Sequence, residues 1–165
     1  MASHGTKNST PLTHLNASGE AHMVDVGAKE ITARRAVAQA RVTMNAQTLK
    51  LLSDGRAPKG DVLATARIAG ISAAKRTSEL IPLCHVIALT RVEISIAIDA
   101  GTVTIEAAAE ARDRTGVEME AMVAASTAAL TIYDMLKAID RDMSFDVCLI
   151  SKSGGRTGAW NREKK

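Results

Sequence analysis

The spacing of apolar residues changes period several times along the chain, and each change predicts an element. From Arg35 to Met44 the alternation is strict: Ala36, Ala38, Ala40, Val42 and Met44 share one face, Arg35, Val37, Gln39, Arg41 and Thr43 the other. Period two over ten residues predicts a half-buried strand. Asn45 then supplies an N-cap for a short helix through Leu49, Leu51 and Leu52, ended by Asp54 and Gly55. After a loop from Arg56 to Gly60, Val62, Ala66, Ala69, Ala73 and Leu80 recur near helical spacing until Pro82 stops the element. Ala64, Ala66, Ala69, Gly70, Ala73 and Ala74 make this helix small-sided, which permits close approach of a neighbouring backbone. Alternation returns between Thr90 and Asp99 (Val92, Ile94, Ile96, Ile98), turns at residues 99–101, and runs back through Val103, Ile105, Ala107 and Ala109 as a hairpin. Thr115 and Glu118 have capping-box spacing ahead of a long helix to about Ile139, with Met122, Val123, Leu130, Tyr133 and Leu136 apolar. From Met143 to Ile150, Phe145, Val147 and Leu149 alternate with Asp146 and Cys148 as a last strand.

The order strand, helices, strand, strand, helix, strand is the split βαβ arrangement. It predicts an α+β fold: a ferredoxin-like antiparallel four-stranded sheet with helices packed on one face. The other sheet face is left uncovered, so an oligomer interface is expected there. Residues 1–22, rich in Ser, Thr, His and Asn, read as a flexible N-terminal arm, 23–158 as a single α+β domain, and 159–165 as a C-terminal tail. A chain of 165 residues buries a core without disulfides or metal staples, and 46% hydrophobic with 24% charged residues is ordinary globular composition. Aromatics at 2% leave little for base stacking, and a net charge of +3 is too small to indicate DNA binding. Cys84 and Cys148 stand far apart without CxxC spacing, which fits a reducing compartment and no zinc site. The chain has no apolar span of membrane length and no basic-then-apolar signal, so a cytoplasmic location without membrane contact is expected.

Four places carry candidate chemistry, each with a plainer alternative. Lys59, in the turn before a helix start near Asp61, suits an anion; a solvated loop lysine has the same sequence. Leu83, Cys84 and His85 follow the Pro82 stop, where a His and a Cys serve proton transfer, a covalent step or simple burial; one of each cannot close a zinc site. On the long helix Asp134 and Lys137 are three apart and so neighbours, as a base and acid or as a surface ion pair. Glu120 precedes Asp134 by fourteen residues, roughly 21 Å of helix, so if both belong to active sites either an extended ligand spans them or one end of the helix serves a site across a subunit boundary, which predicts catalysis at an interface. Lys152 and Arg156 flank two glycines that let a backbone approach an anion, without the spacing of a P-loop; a loose terminus is the alternative. Arg67, Lys75 and Arg76 add positive charge on the second helix.

Several stretches are more specific than spacing: HMVDV at 22–26, KGDVLATARIAGISAAKRTSELIPLCH at 59–85, TGVEMEAM at 115–122, ALTIYDMLKAID at 129–140 and KSGG at 152–155. Together, over about residues 12–158, the chain closely resembles the molybdenum cofactor biosynthesis protein C family, the cyclic pyranopterin monophosphate synthases. The resemblance implies a lyase acting after a radical S-adenosylmethionine GTP cyclase. Its substrate would be 3′,8-cyclo-7,8-dihydro-GTP, rebuilt as a pterin with a cyclic phosphate and loss of pyrophosphate. By motif it implies Asp134, Lys137 and Lys59 as catalytic groups, and Leu83, Cys84, His85, Met119 and Glu120 as substrate-binding residues. Arg34, Lys75 and Lys152 fall at basic or phosphate-facing positions. The family also implies a homohexamer, a trimer of dimers with sites at subunit contacts. No resident cofactor or metal is implied, and no motif calls for Mg²⁺ with the triphosphate. Val86 and Arg156 stand where similar proteins commonly have Pro and often Lys. The competing expectations are a ferredoxin-like nucleic-acid-binding module, for which the strands offer only Phe145, and a catalytically silent relative.

Overall fold

The computed structural model describes residues 18–99 and 101–163; most of the predicted N-terminal arm, with His4 and His14, lies outside them. The elements follow the hydrophobic pattern. Strand β1 (Thr32–Thr43) leads to helix α1 (Ala46–Ser53), α2 (Val62–Ala74) and the one-turn α3 (Thr77–Leu80). The hairpin β2 (Leu89–Asp99) and β3 (Thr102–Asp113) precedes α4 (Glu118–Leu136), β4 (Ser144–Ser153) and a short β5 (Trp160–Asn161). The sheet is antiparallel throughout, in the order β2-β3-β1-β4-β5.

The strand count corrects the sequence reading, which expected four strands and a terminal tail. Glycines 154, 155 and 158 all have positive φ, a conformation open to residues without a Cβ. They reverse the chain after β4, so that Trp160 pairs with Lys152 and the Arg162 amide donates to the Ile150 carbonyl at 2.8 Å.

Alternation decides what the sheet buries. Ala36, Ala38, Ala40 and Val42 of β1 meet Val103, Ile105, Ala107 and Ala109 of β3 in register, all essentially inaccessible, under α4. Helix α2 packs on α4 through the small residues noted in the sequence. A Cβ at Gly70 would lie 2.3 Å from Ile94 Cδ1 and 2.8 Å from the Ala124 carbonyl oxygen. Among the described residues no helix covers the opposite sheet face, where Gln39 Nε2 donates to Glu106 at 3.3 Å and Arg35 pairs with Glu110 at 3.1 Å. Phe145 and Trp160 are in register with Val42 and Ala36, on the helix side. The uncovered face therefore lacks the aromatic platform that a single-strand RNA binder of this shape needs.

Two local predictions fail for identifiable reasons. The second helix breaks after Ala74, where the Thr77 hydroxyl donates to the Ala74 carbonyl at 3.0 Å and the Arg76 amide turns back to Ala73. A Thr side chain bonding the backbone competes with helix continuation. Nor does Thr115 cap α4: buried Val117 holds the N-cap position, and the Glu118 carboxylate folds back over Gly116. Leu130, one of the apolar positions of the long helix, is exposed.

Candidate active site

The chemistry-bearing residues gather at the two ends of α4. At the C-terminal end, three of them meet. Asn45 caps α1, its Oδ1 accepting the Thr48 amide at 2.8 Å, and Asp61 caps α2 through the Ala64 amide at 2.9 Å. Lys59 sits in the turn between, beside Gly60 at φ +90°. Its Nζ donates to the Asp134 carbonyl at 2.9 Å and to Asp134 Oδ2 at 3.1 Å. Lys137, the C-cap of α4, places its Nζ 2.7 Å from the other carboxylate oxygen. A helix C-terminus favours cations, so both lysines also face the negative end of the macrodipole. Hydrogen bonding to Lys137, and then to Lys59, holds the Asp134 carboxyl below the usual carboxylate range. The Asp134 hydrogen bond in turn raises Lys137. At neutral pH this is an ionised carboxylate hydrogen-bonded by two lysine side chains.

The N-terminal end of α4 opens on a cavity of about 470 Å³. Leu83, Cys84 and His85 form one wall, Met119 and Glu120 another, and Val24 and Val26 close it from the segment before β1. His85 Nε2 lies 2.8 Å from the Val24 carbonyl. A carbonyl only accepts, so this nitrogen carries a proton and donates it. Glu120 is 3% exposed, and burial, reinforced by Glu118 and Asp113 against its own backbone hydrogen bond, pushes its carboxyl up. Burial, then the Glu120 charge, raises the Cys84 thiol, which argues against a covalent role for it.

Positive charge rims this cavity. A neighbouring space of about 190 Å³ shares Lys29, Glu118 and Arg156 with it and adds Arg34, Arg114 and Lys152. Arg34 Nε donates to the Asp113 carbonyl at 3.1 Å, and Lys152 Nζ bonds the Thr157 hydroxyl. A Cβ on Gly155 would lie 1.7 Å from Arg34 Nη1, so the glycine leaves room for the guanidinium. Lys75 stands apart, on a groove with Ile71, Ile87 and Arg91.

Of the sequence candidates, then, Lys59, Asp134 and Lys137 form one cluster, and Leu83, Cys84, His85, Met119 and Glu120 form another, with Arg34 and Lys152 at its rim. Lys29, Arg114 and Glu118 were missed. Lys29 and Arg114 lie outside any periodic element, and Glu118 was read as a capping residue. Among the described residues no group of three or more His, Cys, Asp or Glu is arranged to hold a metal, and no helix is long and apolar enough to cross a membrane.

Fold and sites together define an α+β protein that gathers a cation-rimmed cavity and a Lys–Asp–Lys cluster along one helix. The profile of the MoaC family matches residues 23–155, and the chain belongs to that family. Similar proteins include a cyclic pyranopterin monophosphate synthase of Chloroflexus aurantiacus, 56% identical over 156 residues, covering 93% of this chain and 96% of that protein. Proteins of the same name from Thermomicrobium roseum and Roseiflexus sp. are 57% and 58% identical, over 92% and 89% of this chain and 93% and 95% of theirs.

Proposed function

We propose that the protein is a cyclic pyranopterin monophosphate synthase. It converts 3′,8-cyclo-7,8-dihydro-GTP to cyclic pyranopterin monophosphate and pyrophosphate in molybdenum cofactor biosynthesis, downstream of a radical S-adenosylmethionine GTP cyclase. The observation that carries the assignment of groups is Asp134 held by both Lys59 and Lys137, at 3.1 and 2.7 Å. Opening a purine and closing a pterin requires several proton transfers without redox change, which such a cluster supplies through acid–base steps as a lyase. The cavity of Leu83, Cys84, His85, Met119 and Glu120 takes the ring system, and Arg34, Lys152 and Arg156 take the phosphates. No resident cofactor enters this scheme.

The strand order β4-β1-β3-β2 and the uncovered sheet face support a ferredoxin-like core with an added edge strand, assembled as a hexamer of three dimers. One chain holds its two clusters at opposite ends of α4, so a complete site takes one cluster from each of two subunits. Supplying the cyclised nucleotide to purified protein tests the reading: mass spectrometry finds the pterin and pyrophosphate. Unchanged nucleotide in the presence of folded oligomer overturns it.

A further inference from the structure

The acid–base scheme leaves one buried carboxylate unused. Asp140, 6% exposed, has no cationic partner among the described residues. A buried carboxylate is costly unless its oxygens are hydrogen-bonded. Here Oδ2 accepts the Asn45 amide at 3.0 Å and Oδ1 the Asp142 amide at 3.1 Å. The first bond joins residues 95 apart in sequence.

Its endpoints are informative. Asn45 starts α1, giving its side chain to the Thr48 amide and its carbonyl to the Leu49 amide at 3.0 Å. Helix α1 buries only Thr48 and Leu52, a thin hold for an element of 8 residues. Its last turn runs through the Gly55 and Arg56 amides, bonded to Leu52 and Leu51, into the turn that carries Lys59. On the other side, the Asp140 amide donates to the Leu136 carbonyl at 3.1 Å, in the last turn of α4 just after Asp134. Both partners of the Lys59–Asp134 contact are thereby tied to one residue.

We infer that Asp140 is a positioning residue: by binding the Asn45 amide it fixes α1, and with it the Lys59 turn, against the end of α4, so that Lys59 reaches Asp134. The inference rests on the reading of Lys59, Asp134 and Lys137 as the proton-transfer cluster. A displacement of about 1 Å at such a cluster costs on the order of a hundredfold in rate.

Asp140→Asn keeps the shape but turns an amide N–H₂ toward one of two N–H donors. The charged groups facing Asp134 are Lys59 from the loop before α2 and Lys137 from the end of α4, with Tyr133 acting on Lys137. In folded D140N, Lys59 withdraws while Lys137 stays. The Asp134 carboxyl, followed by ¹³C NMR, then titrates at higher pH than in the wild type, and kcat falls about a hundredfold with KM little changed. Ile105→Val, a buried core change that touches none of these hydrogen bonds, leaves the Asp134 midpoint in place, which separates positioning from general loss of stability. Asp140→Ser, which keeps one acceptor oxygen, serves as the folded variant where D140N does not fold. An Asp134 midpoint identical in the wild type and the folded Asp140 variant overturns the inference. A raised midpoint with undiminished turnover supports the positioning role and overturns the catalytic reading of the cluster.

Discussion

Asp134 and Glu120 are carboxylates on the same helix with opposite electrostatics, and pH distinguishes them. Asp134 is held below its ordinary range by Lys137 and Lys59, so its stabilising contribution is present above the unfolded pKa and lost as pH falls through the depressed folded value. Its ionised form, and any rate that needs it, persists through mildly acidic pH. Asp134 should therefore add no acid limb to a kcat–pH profile until below the usual carboxylate range, and Asp134→Asn should abolish turnover while native mass spectrometry finds assembly intact. Glu120 is raised by burial, so folding disfavours its charge. The penalty is absent below the unfolded pKa, grows as pH rises toward the folded value, and is constant above it. Glu120→Gln should accordingly raise Tm at pH 8 and leave it nearly unchanged at pH 4; a lower Tm at pH 8 would mean that the charge is stabilised in place. Sequence spacing made the Asp134–Lys137 neighbourhood legible, because three residues apart on a helix is a contact. Lys59 lies 75 residues from Asp134, and no local pattern encodes that meeting; only the resemblance grouped them.

At the level of elements, the legible parts were those whose apolar period is long and clean: β1, the β2–β3 hairpin and β4 appear within four residues of the predicted bounds. What the pattern missed was set by single side chains and by backbone freedom. Thr77 ended α2 early, Val117 displaced the expected Thr115 cap, and three glycines made β5 out of a segment with no periodicity. The packing of α2 on α4 was legible as a run of small residues, and it makes a prediction that helix propensity alone gets backwards. Alanine is the better helix former by about 1 kcal/mol, which taken alone favours Gly70→Ala. The added methyl, however, meets the Ala124 carbonyl at 2.8 Å as well as the movable end of Ile94, and the backbone contact gives way only if the helices separate. Overpacking of this kind costs about 1–3 kcal/mol, so urea denaturation should give a lower midpoint for Gly70→Ala. A higher midpoint would show that α2 moves off α4 freely.

The whole molecule places its two clusters at opposite ends of a 19-residue helix, roughly 14 residues and 21 Å apart from Glu120 to Asp134. Lys59 and Asp134 meet within one chain, so defects in these two residues strike the same cluster and do not compensate each other across subunits. The informative pair takes one residue from each end of α4. His85→Ala damages the cavity and Asp134→Asn the lysine-flanked cluster. If a site joins the cavity of one subunit to the cluster of the next, each pure variant is inactive, but a mixed dimer has one site with both defects and one with neither. After dissociation, mixing in equal amounts and reassembly, half the dimers are mixed, and roughly a quarter of all sites are intact. Activity should therefore return to about a quarter of the wild-type value per subunit, while mixing Lys59→Ala with Asp134→Asn should return none. Recovery in the second mixture would mean that Lys59 and Asp134 act from different subunits; no recovery in the first would mean that each chain completes its own site. The 21 Å between the clusters would then have to be spanned by the substrate itself or closed by a movement of the chain.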